Sequence, residues 1–156
     1  MHAMSANGAG RRTLLRLSAA SLLSIGLKAR AATASLRRSA LVIGNGAYKS
    51  APLKNPVGDA QAVAASLKDL GYEVTLRQNT TLFDLIESLR DFSLRSAKSD
   101  VRLLFYAGHG IQARGRNFLL PVDAEPQSED EIAAKAADVG EFIDRLSGNK
   151  QGLNIV

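Results

Sequence analysis

The sequence predicts an α/β fold in three layers, with a mostly parallel sheet and helices on both faces of that sheet. Two observations carry this prediction. From residue 39 to residue 156, short apolar runs with the length of strands alternate with segments of helical periodicity. Residues 101–107 are almost continuously apolar, which is typical of a parallel strand that is covered on both faces. Strands that alternate with helices in this way usually pair in parallel.

The first strand and the first helix have clear boundaries. Residues 39–43 form an apolar run that ends at Gly44, so we expect a buried strand there. Asn55 and Pro56 predict the start of a helix, with asparagine as the N-cap and proline in the first helical position. Gly71 predicts the end of this helix. The apolar residues of the helix recur at helical spacing: Val57, Ala60, Val63, Ala64, Leu67 and Leu70.

The second strand and the second helix follow directly. Residues 72–76 alternate in polarity and are rich in β-formers, which predicts a strand. Either Thr80 or Thr81 is expected to cap the next helix. The apolar face of that helix is predicted to consist of Leu82, Leu85, Ile86, Leu89 and Phe92. Residues 101–107 then supply the third strand.

The C-terminal part of the sequence predicts smaller elements. Residues 111–123 predict a hairpin that turns near Arg114 and Gly115. An acidic loop, a short helix, a turn and the start of a fourth strand are expected at residues 126–131, 139–147, 148–152 and 153–156. Because the sequence ends within a predicted strand, we expect a fold that is incomplete at its C-terminus.

The N-terminal segment, residues 1–31, has the layout of a cleavable export signal. The pair Arg11 and Arg12 precedes an apolar stretch of eleven residues, residues 17–27, which is too short to span a bilayer as a stable helix. A small-x-small cleavage pattern ends at Ala31. The paired arginines and the weakly hydrophobic stretch predict a signal of the twin-arginine type.

This segment determines the predicted location and the domain organisation. Residues 32–38 are interpreted as a linker, and residues 39–156 as one globular domain. An exported protein would be periplasmic or extracellular, with no stable membrane anchor after the signal is cleaved. The alternative is a disordered basic leader or a misassigned start codon, in which case the protein would remain cytoplasmic.

The charge distribution argues against a nucleic-acid partner. The chain has 20 Lys and Arg residues and 15 Asp and Glu residues, for a net charge of +5. Five of the basic residues and none of the acidic residues lie in residues 1–31, so the other 125 residues hold 15 of each sign. A neutral body lacks the basic surface that phosphate backbones require.

Cysteine and histidine usage restricts the possible chemistry. The chain has no cysteine, which excludes disulfides, thiolate metal sites and a thiol nucleophile within these 156 residues. Its two histidines, His2 and His109, are too few to predict a histidine metal cluster, so no metal site and no cofactor are expected.

His109 is the candidate catalytic residue. It lies between Gly108 and Gly110, directly after the third predicted strand. Active sites in parallel sheets form at the carboxyl ends of strands, and Gly44 marks another such end, so these segments should be neighbours if the two strands are adjacent. An imidazole on a rigid strand suits general acid–base catalysis. The alternative is a hydrogen-bonded structural histidine.

Four stretches resemble segments of the caspase-like cysteine peptidases of family C14, in their bacterial, metacaspase-like branch, and they follow one another along the chain in the order found in that family. They are LLFYAGHG followed by LLPVDA, ALVIGNGAY, LKNPVGDAQAVAASLKDLGYEVTL and GLNIV. Together they extend over residues 39–156. The resemblance implies a three-layer caspase-like fold, and it implies that these residues form the large-subunit-like part of a catalytic domain.

The resemblance also implies a reaction and its residues. It implies a cysteine-type endopeptidase, a hydrolase of polypeptide substrates, in which a histidine and a cysteine form a dyad. His109 would be the general base and acid, and the N–H of Gly110 would help to stabilise the oxyanion. Asp59 would help to form a pocket for Arg or Lys before the cleaved bond; alternatively, it is an exposed carboxylate in the first turn of a helix. The resemblance is compatible with activation by calcium.

The expected cysteine is missing from the sequence. In caspase-type sequences it lies about 50 residues after the histidine, which falls just past Val156. The chain would therefore supply the histidine without the cysteine, and as given it is expected to be inactive. A non-catalytic caspase-like binding or scaffold domain and an inactive gene remnant are the alternatives.

Two other enzyme classes fit poorly. A dinucleotide-binding fingerprint requires a third glycine, but Lys49 occupies the position that would complete the pattern begun by Gly44 and Gly46. The sequence also has no G-x-S-x-G motif, so a serine hydrolase of that type is not expected.

Overall fold

The structure is a computed structural model that describes residues 35–148 and 152–156. In chain order its elements are β1 (Arg38–Gly44), α1 (Pro56–Asp69), β2 (Glu73–Gln78), α2 (Leu82–Arg95), β3 (Val101–Ala107), β4 (Gly110–Ala113), β5 (Arg116–Leu119), α3 (Glu129–Lys135), β6 (Ala137–Asp138), α4 (Val139–Ser147) and β7 (Leu153–Ile155). A short 3₁₀ turn, Ser96–Lys98, follows α2. The predicted export signal lies outside the described residues, as do residues 32–34 of the predicted linker.

The main sheet contains four strands in the order β2-β1-β3-β7, and every neighbouring pair is parallel. This arrangement confirms the predicted α/β class with a mostly parallel sheet. It also confirms that the first and third strands are adjacent and that residues 153–156 begin a fourth strand. The predicted turn before that strand falls partly outside the described residues.

Helices cover both faces of the main sheet because the side chains of β1 alternate between two cores. Leu41 and Ile43 point to one side, where they pack with residues of α2 and α4. Ala40 and Val42 point to the other side, where they pack against α1. All four side chains are fully buried. Burial of a side chain of the size of leucine or isoleucine stabilises a fold by about 1.5–3 kcal/mol.

Helix α1 begins and ends where the sequence predicted. Pro56 is its first residue, and Gly71 follows its C-cap with a φ of 79°. Asn55 is at the N-cap but makes no side-chain cap hydrogen bond, because its backbone is already helical rather than extended. A Cβ at Gly44 would lie 2.5 Å from the carbonyl oxygen of Pro56 and 2.7 Å from the Cβ of Ala60. The first turn of α1 therefore rests directly on the end of β1.

Helix α2 begins at Leu82 and is capped by Thr81, whose side-chain oxygen accepts a hydrogen bond from the backbone N–H of Asp84 at 3.2 Å. Leu85, Leu89 and Phe92 are buried as predicted. Ile86 was predicted to join them, but its side chain is 44% exposed because it lies at the edge of a surface groove beside α4.

A second, smaller sheet has the order β4-β5-β6 and is antiparallel. Its hairpin turns at Arg114 and Gly115, as predicted, and both residues have positive φ, 49° and 76°. Those two angles are typical of a type I′ turn, whose twist suits a two-residue hairpin. This hairpin carries the chain from the end of β3 to the region of α3 and α4.

The predicted acidic loop at residues 126–131 is only partly correct. Its second half is the first turn of α3, where Glu129, Asp130 and Glu131 lie near the positive end of the helix. Helix α3 and strand β6 were not predicted. Helix α4, in contrast, has the predicted limits, and its N-cap is Asp138, whose Oδ1 accepts the backbone N–H groups of Gly140 and Glu141. Among the described residues, none of the helices has the length and apolar character needed to cross a membrane.

Candidate active site

The site lies at the carboxyl ends of β1 and β3, which finish side by side. Gly44 pairs with Ala107 in the sheet, and the backbone N–H of Asn45 donates to the carbonyl oxygen of Ala107 at 2.8 Å. The segment that follows β3, Gly108 and His109, therefore lies next to the loop that follows β1. This is the proximity expected from the sequence.

Asn45 holds three segments together at this edge. Its side chain is fully buried. Its Nδ2 donates to Oγ1 of Thr80 at 3.0 Å and to the carbonyl oxygen of Leu120 at 3.4 Å. Its Oδ1 accepts the backbone N–H of Thr80 at 2.9 Å. The end of β1, the turn before α2 and the end of β5 are thus connected through one amide.

The imidazole of His109 has a defined orientation. Its Nε2 lies 2.8 Å from the carbonyl oxygen of Ala51. A carbonyl oxygen only accepts hydrogen bonds, so Nε2 is the nitrogen that carries the proton in the neutral ring. Nδ1 is then the unprotonated nitrogen, and it is the atom available to accept a proton.

Tyr48 contacts His109 twice. The two rings have their centroids 4.4 Å apart and are tilted by 56°. The Tyr48 hydroxyl also accepts the backbone N–H of His109 at 2.9 Å. Only 7% of Tyr48 is exposed, so its ring is held between the loop after β1 and the end of β3.

Tyr106 supports the same region from β3. Its hydroxyl lies 2.6 Å from the carbonyl oxygen of Leu120, 3.0 Å from that of His109 and 3.0 Å from the Tyr48 hydroxyl. Burial, together with the hydrogen bond to Tyr48, raises the pKa of Tyr106 well above its ordinary value. The group therefore stays a neutral hydrogen-bond donor at physiological pH.

The N–H of Gly110 is directed out of the small sheet. Gly110 pairs with Leu119 in the antiparallel hairpin, and the carbonyl oxygen of the preceding His109 accepts the N–H of Leu120 at 3.0 Å. Residues of an antiparallel pair alternate between bonded and non-bonded positions. Since the His109–Leu120 position is bonded, the N–H of Gly110 points away from β5, where it is available to a ligand.

His109 and Gly110 line a cleft of about 330 Å³. The other lining residues are Tyr48, Lys49, Ser50, Ala51, Ile111, Leu120, Ala124, Glu125, Pro126 and Gln127. Two segments form its walls, the loop after β1 and the loop after β5, and Ser50 Oγ donates across them to Glu125 Oε1 at 3.1 Å. Lys49 and Glu125 are the side chains of opposite charge in this lining.

His109 and Gly110, which are adjacent in the sequence, both line this cleft, whereas Asp59 lies outside it. Asp59 is exposed in the first turn of α1, where its carboxylate is near the positive end of the helix dipole. It is not among the residues that line the cleft of His109. In the part of the chain that the structure describes, no three His, Asp or Glu side chains are grouped closely enough to hold a metal ion.

Three residues that shape the site were not identified from the sequence. Asn45 and Tyr48 follow the first predicted strand, where no role is predicted for them, and Tyr106 lies within the apolar run of the third strand. Their one sequence signal is the choice of asparagine and tyrosine at positions where a glycine-rich loop and an apolar strand do not need them. The role of the Ala51 carbonyl leaves no sequence signal, because every residue has that group.

A second groove of about 170 Å³ lies between α2, α4 and the small sheet. Its polar side chains already pair with one another: Arg116 contacts both Asp138 and Glu141. It contains no histidine. Acid–base chemistry is therefore expected at the His109 cleft and not here.

Comparisons with a family model and with individual proteins both indicate similarity to caspases and related proteins. The family model described as "Caspase domain" matches residues 37–149. The human mucosa-associated lymphoid tissue lymphoma translocation protein 1 is 36% identical over 86 residues, which are 54% of this chain and 10% of that protein; its mouse homolog matches to the same extent. Pig caspase-1 is 35% identical over 79 residues, 49% of this chain and 20% of that protein. The match thus covers a small part of each relative.

Proposed function

Because the chain belongs to the caspase-domain family of cysteine peptidases, we propose that it supplies the histidine of a His/Cys dyad that cleaves peptide bonds. The observation that carries this proposal is the hydrogen bond from His109 Nε2 to the carbonyl oxygen of Ala51. That bond leaves Nδ1 unprotonated beside a cleft large enough for a short peptide segment. The sequence has no cysteine, so the thiol must come from residues other than these 156.

The proposed reaction proceeds in two halves. His109 Nδ1 takes the proton of the thiol, and the resulting thiolate attacks the carbonyl carbon of the peptide bond. The N–H of Gly110 donates to the oxyanion of the tetrahedral intermediate. The imidazolium then returns its proton to the departing amine, which leaves an acyl-enzyme. Water, deprotonated by His109, hydrolyses the thioester and restores the thiol.

The alternative function is a caspase-like domain that binds partners without catalysis, or an inactive remnant of such a gene. Because the expected position of the cysteine lies past Val156, the 156 residues are compatible with this alternative as well as with the peptidase. The codons that follow Val156 in the gene decide between these possibilities. A cysteine soon after the strand that contains Ile155 supports the peptidase. A serine, glycine or tyrosine at that place supports the binding domain, and an immediate stop codon supports the remnant.

For substrate preference, we propose cleavage after Arg or Lys. The support is the family resemblance of Asp59, and the presence of Glu125 in the cleft lining offers a competing carboxylate. Neither acid is paired with a cation in an ion pair among the described residues. The two candidates can be separated by neutralising each carboxylate in turn.

In a chain extended to include the cysteine, Asp59→Asn should lower kcat/KM for a substrate with Arg before the cleaved bond by about 10- to 100-fold, the range for losing one charged hydrogen bond. The matched variant Glu125→Gln should change it by less than about threefold. The measurement compares substrates with Arg and Gln at that position. If Glu125→Gln removes the preference and Asp59→Asn does not, Glu125 is the recognising carboxylate and the role proposed for Asp59 is wrong.

For location, we propose that residues 1–31 direct export through the twin-arginine route. Fused to a reporter that functions only outside the cytoplasm, this segment should restore reporter activity. Replacing both Arg11 and Arg12 with lysine should reduce export by at least about tenfold, because the route depends on the arginine pair. Replacing Lys28 with arginine is the control and should have no effect. Equal export by the Arg11/Arg12 double variant would exclude this route.

A further inference from the structure

The hydroxyl groups of Tyr48 and Tyr106 both lie against the backbone at residues 108–109. We propose that Tyr48 is the positioning residue of His109, and that Gly108 is present because only glycine leaves room for the hydroxyl pair. The proposal rests on the proposed function in one respect, since it takes His109 to be the base. The arrangement itself can be tested without any cleavage.

The loop between β1 and α1 orients the imidazole through several contacts. Tyr48 accepts the backbone N–H of His109 at 2.9 Å and packs its ring against the imidazole at 4.4 Å between centroids. Ala51 accepts the N–H at Nε2. Both residues belong to the loop between β1 and α1. One loop therefore holds the backbone, one face and one ring nitrogen of His109, which leaves Nδ1 as its unengaged basic atom.

The two tyrosine hydroxyls differ in which backbone group depends on them. Each tyrosine has one proton to donate. Tyr106 lies closest to the carbonyl oxygen of Leu120, at 2.6 Å, and is expected to donate there. The carbonyl oxygen of His109 also accepts the N–H of Leu120, so it keeps a partner without Tyr106. The N–H of His109, in contrast, depends on the Tyr48 hydroxyl.

The space around Gly108 is filled by the two tyrosine hydroxyls. A Cβ built on Gly108 would lie 2.6 Å from both tyrosine hydroxyl oxygens and 2.8 Å from Cζ of Tyr106. Real Cβ atoms are almost never found closer than 3.0 Å to another heavy atom. Any side chain at Gly108 would therefore push the hydroxyls away from their hydrogen bonds. Glycine at this position is explained by the closure of the two tyrosines over the chain, independently of backbone flexibility.

The test compares Tyr48→Phe with Tyr106→Phe in the 156-residue chain by NMR. Each variant removes one hydroxyl and keeps the ring. Tyr48→Phe is expected to accelerate hydrogen exchange at the His109 amide by about tenfold, the effect of losing one hydrogen bond. Tyr106→Phe should change it by less than about threefold. Three-bond couplings should show one χ1 rotamer of His109 in the parent chain and averaging between rotamers in Tyr48→Phe.

The rotamer measurement separates positioning from general stabilisation. A merely structural tyrosine would lower the protection of core amides in β1 and β3 but would leave the His109 rotamer unchanged. Exchange within twofold of the parent and a single rotamer in Tyr48→Phe would overturn the proposal. If Tyr48→Phe does not fold, Gly108→Ala provides the second test, since it keeps both hydroxyls and displaces them. It is expected to produce the same rotamer averaging, and an unchanged His109 in that variant would equally contradict the proposal.

These measurements need no cysteine and no substrate. If they succeed while the cysteine-bearing chain cleaves nothing, the positioning proposal stands and the peptidase proposal fails. If the measurements fail while cleavage depends on His109, the peptidase proposal stands and the positioning proposal fails.

Discussion

Replacing His109 with alanine is expected to lower kcat/KM for peptide cleavage by a factor of about 10²–10⁴ or more in a chain extended to include the cysteine. The substitution removes the atom that takes the thiol proton and later returns it to the leaving amine. The same variant should also slow alkylation of the cysteine by iodoacetamide at neutral pH, because less of the thiol would be ionised. Alkylation measures the thiolate directly and needs no substrate.

Two variants control for effects other than proton transfer. His109→Gln keeps a side-chain N–H that can reach the carbonyl oxygen of Ala51, but it has no basic nitrogen, so its activity should be as low as that of alanine. Replacement of His2, the other histidine of the chain, should leave the rate unchanged. Turnover within twofold of the parent in His109→Ala would show that this histidine is not the base, whatever the family of the chain.

The elements predicted correctly from the sequence are those whose signal is local. The apolar run of β3 (Val101–Ala107) and the Asn55–Pro56 start of α1 each determine their own boundaries. Helix α3 was missed because Ile132 is its one buried residue, so it has no apolar face to detect. Strand β6 has two residues and exists because it pairs with β5, which no local pattern indicates.

The same distinction explains the site. His109 and Gly110 form part of a contiguous motif that ends a strand, so they were predictable. Tyr48 reaches His109 from 61 residues away in sequence, and the carbonyl of Ala51 reaches it from 58 residues away. These contacts exist only because β1 and β3 are neighbours. For a site assembled at the ends of parallel strands, one sequence therefore predicts the residues of a contiguous motif but not their partners on other strands and loops.

The arrangement also explains why polar residues are buried at this edge. A loop after β1, a turn before α2 and the end of β5 meet here. Asn45, Tyr48 and Tyr106 join them through hydrogen bonds, and the carbonyl oxygen of Leu120 accepts one from each of the three side chains. Such a network holds His109 only if each member is satisfied.

Asn45→Ala is accordingly expected to be the most damaging single substitution of a polar residue in this network, at a cost of about 2–4 kcal/mol of unfolding free energy. It leaves the backbone N–H of Thr80 without its acceptor and the Thr80 hydroxyl without its partner, both in a residue that is 3% exposed. Each unsatisfied buried group costs about 1–3 kcal/mol. Since domains of this size are stable by about 5–15 kcal/mol, the loss should be plain in urea denaturation of the 156-residue chain.

Thr80→Val and Asn117→Ala test whether the network, and not asparagine in general, is responsible. Thr80→Val removes the hydroxyl but keeps the backbone N–H bonded to Asn45 Oδ1, so about 1 kcal/mol should be lost. Asn117 is exposed on β5, and its replacement should change stability by no more than about 0.5 kcal/mol. The expected order of destabilisation is Asn45→Ala, then Thr80→Val, then Asn117→Ala. A denaturation midpoint for Asn45→Ala equal to that of Asn117→Ala would mean that the buried amide does not hold the three segments together, and that apolar packing alone positions the end of β3.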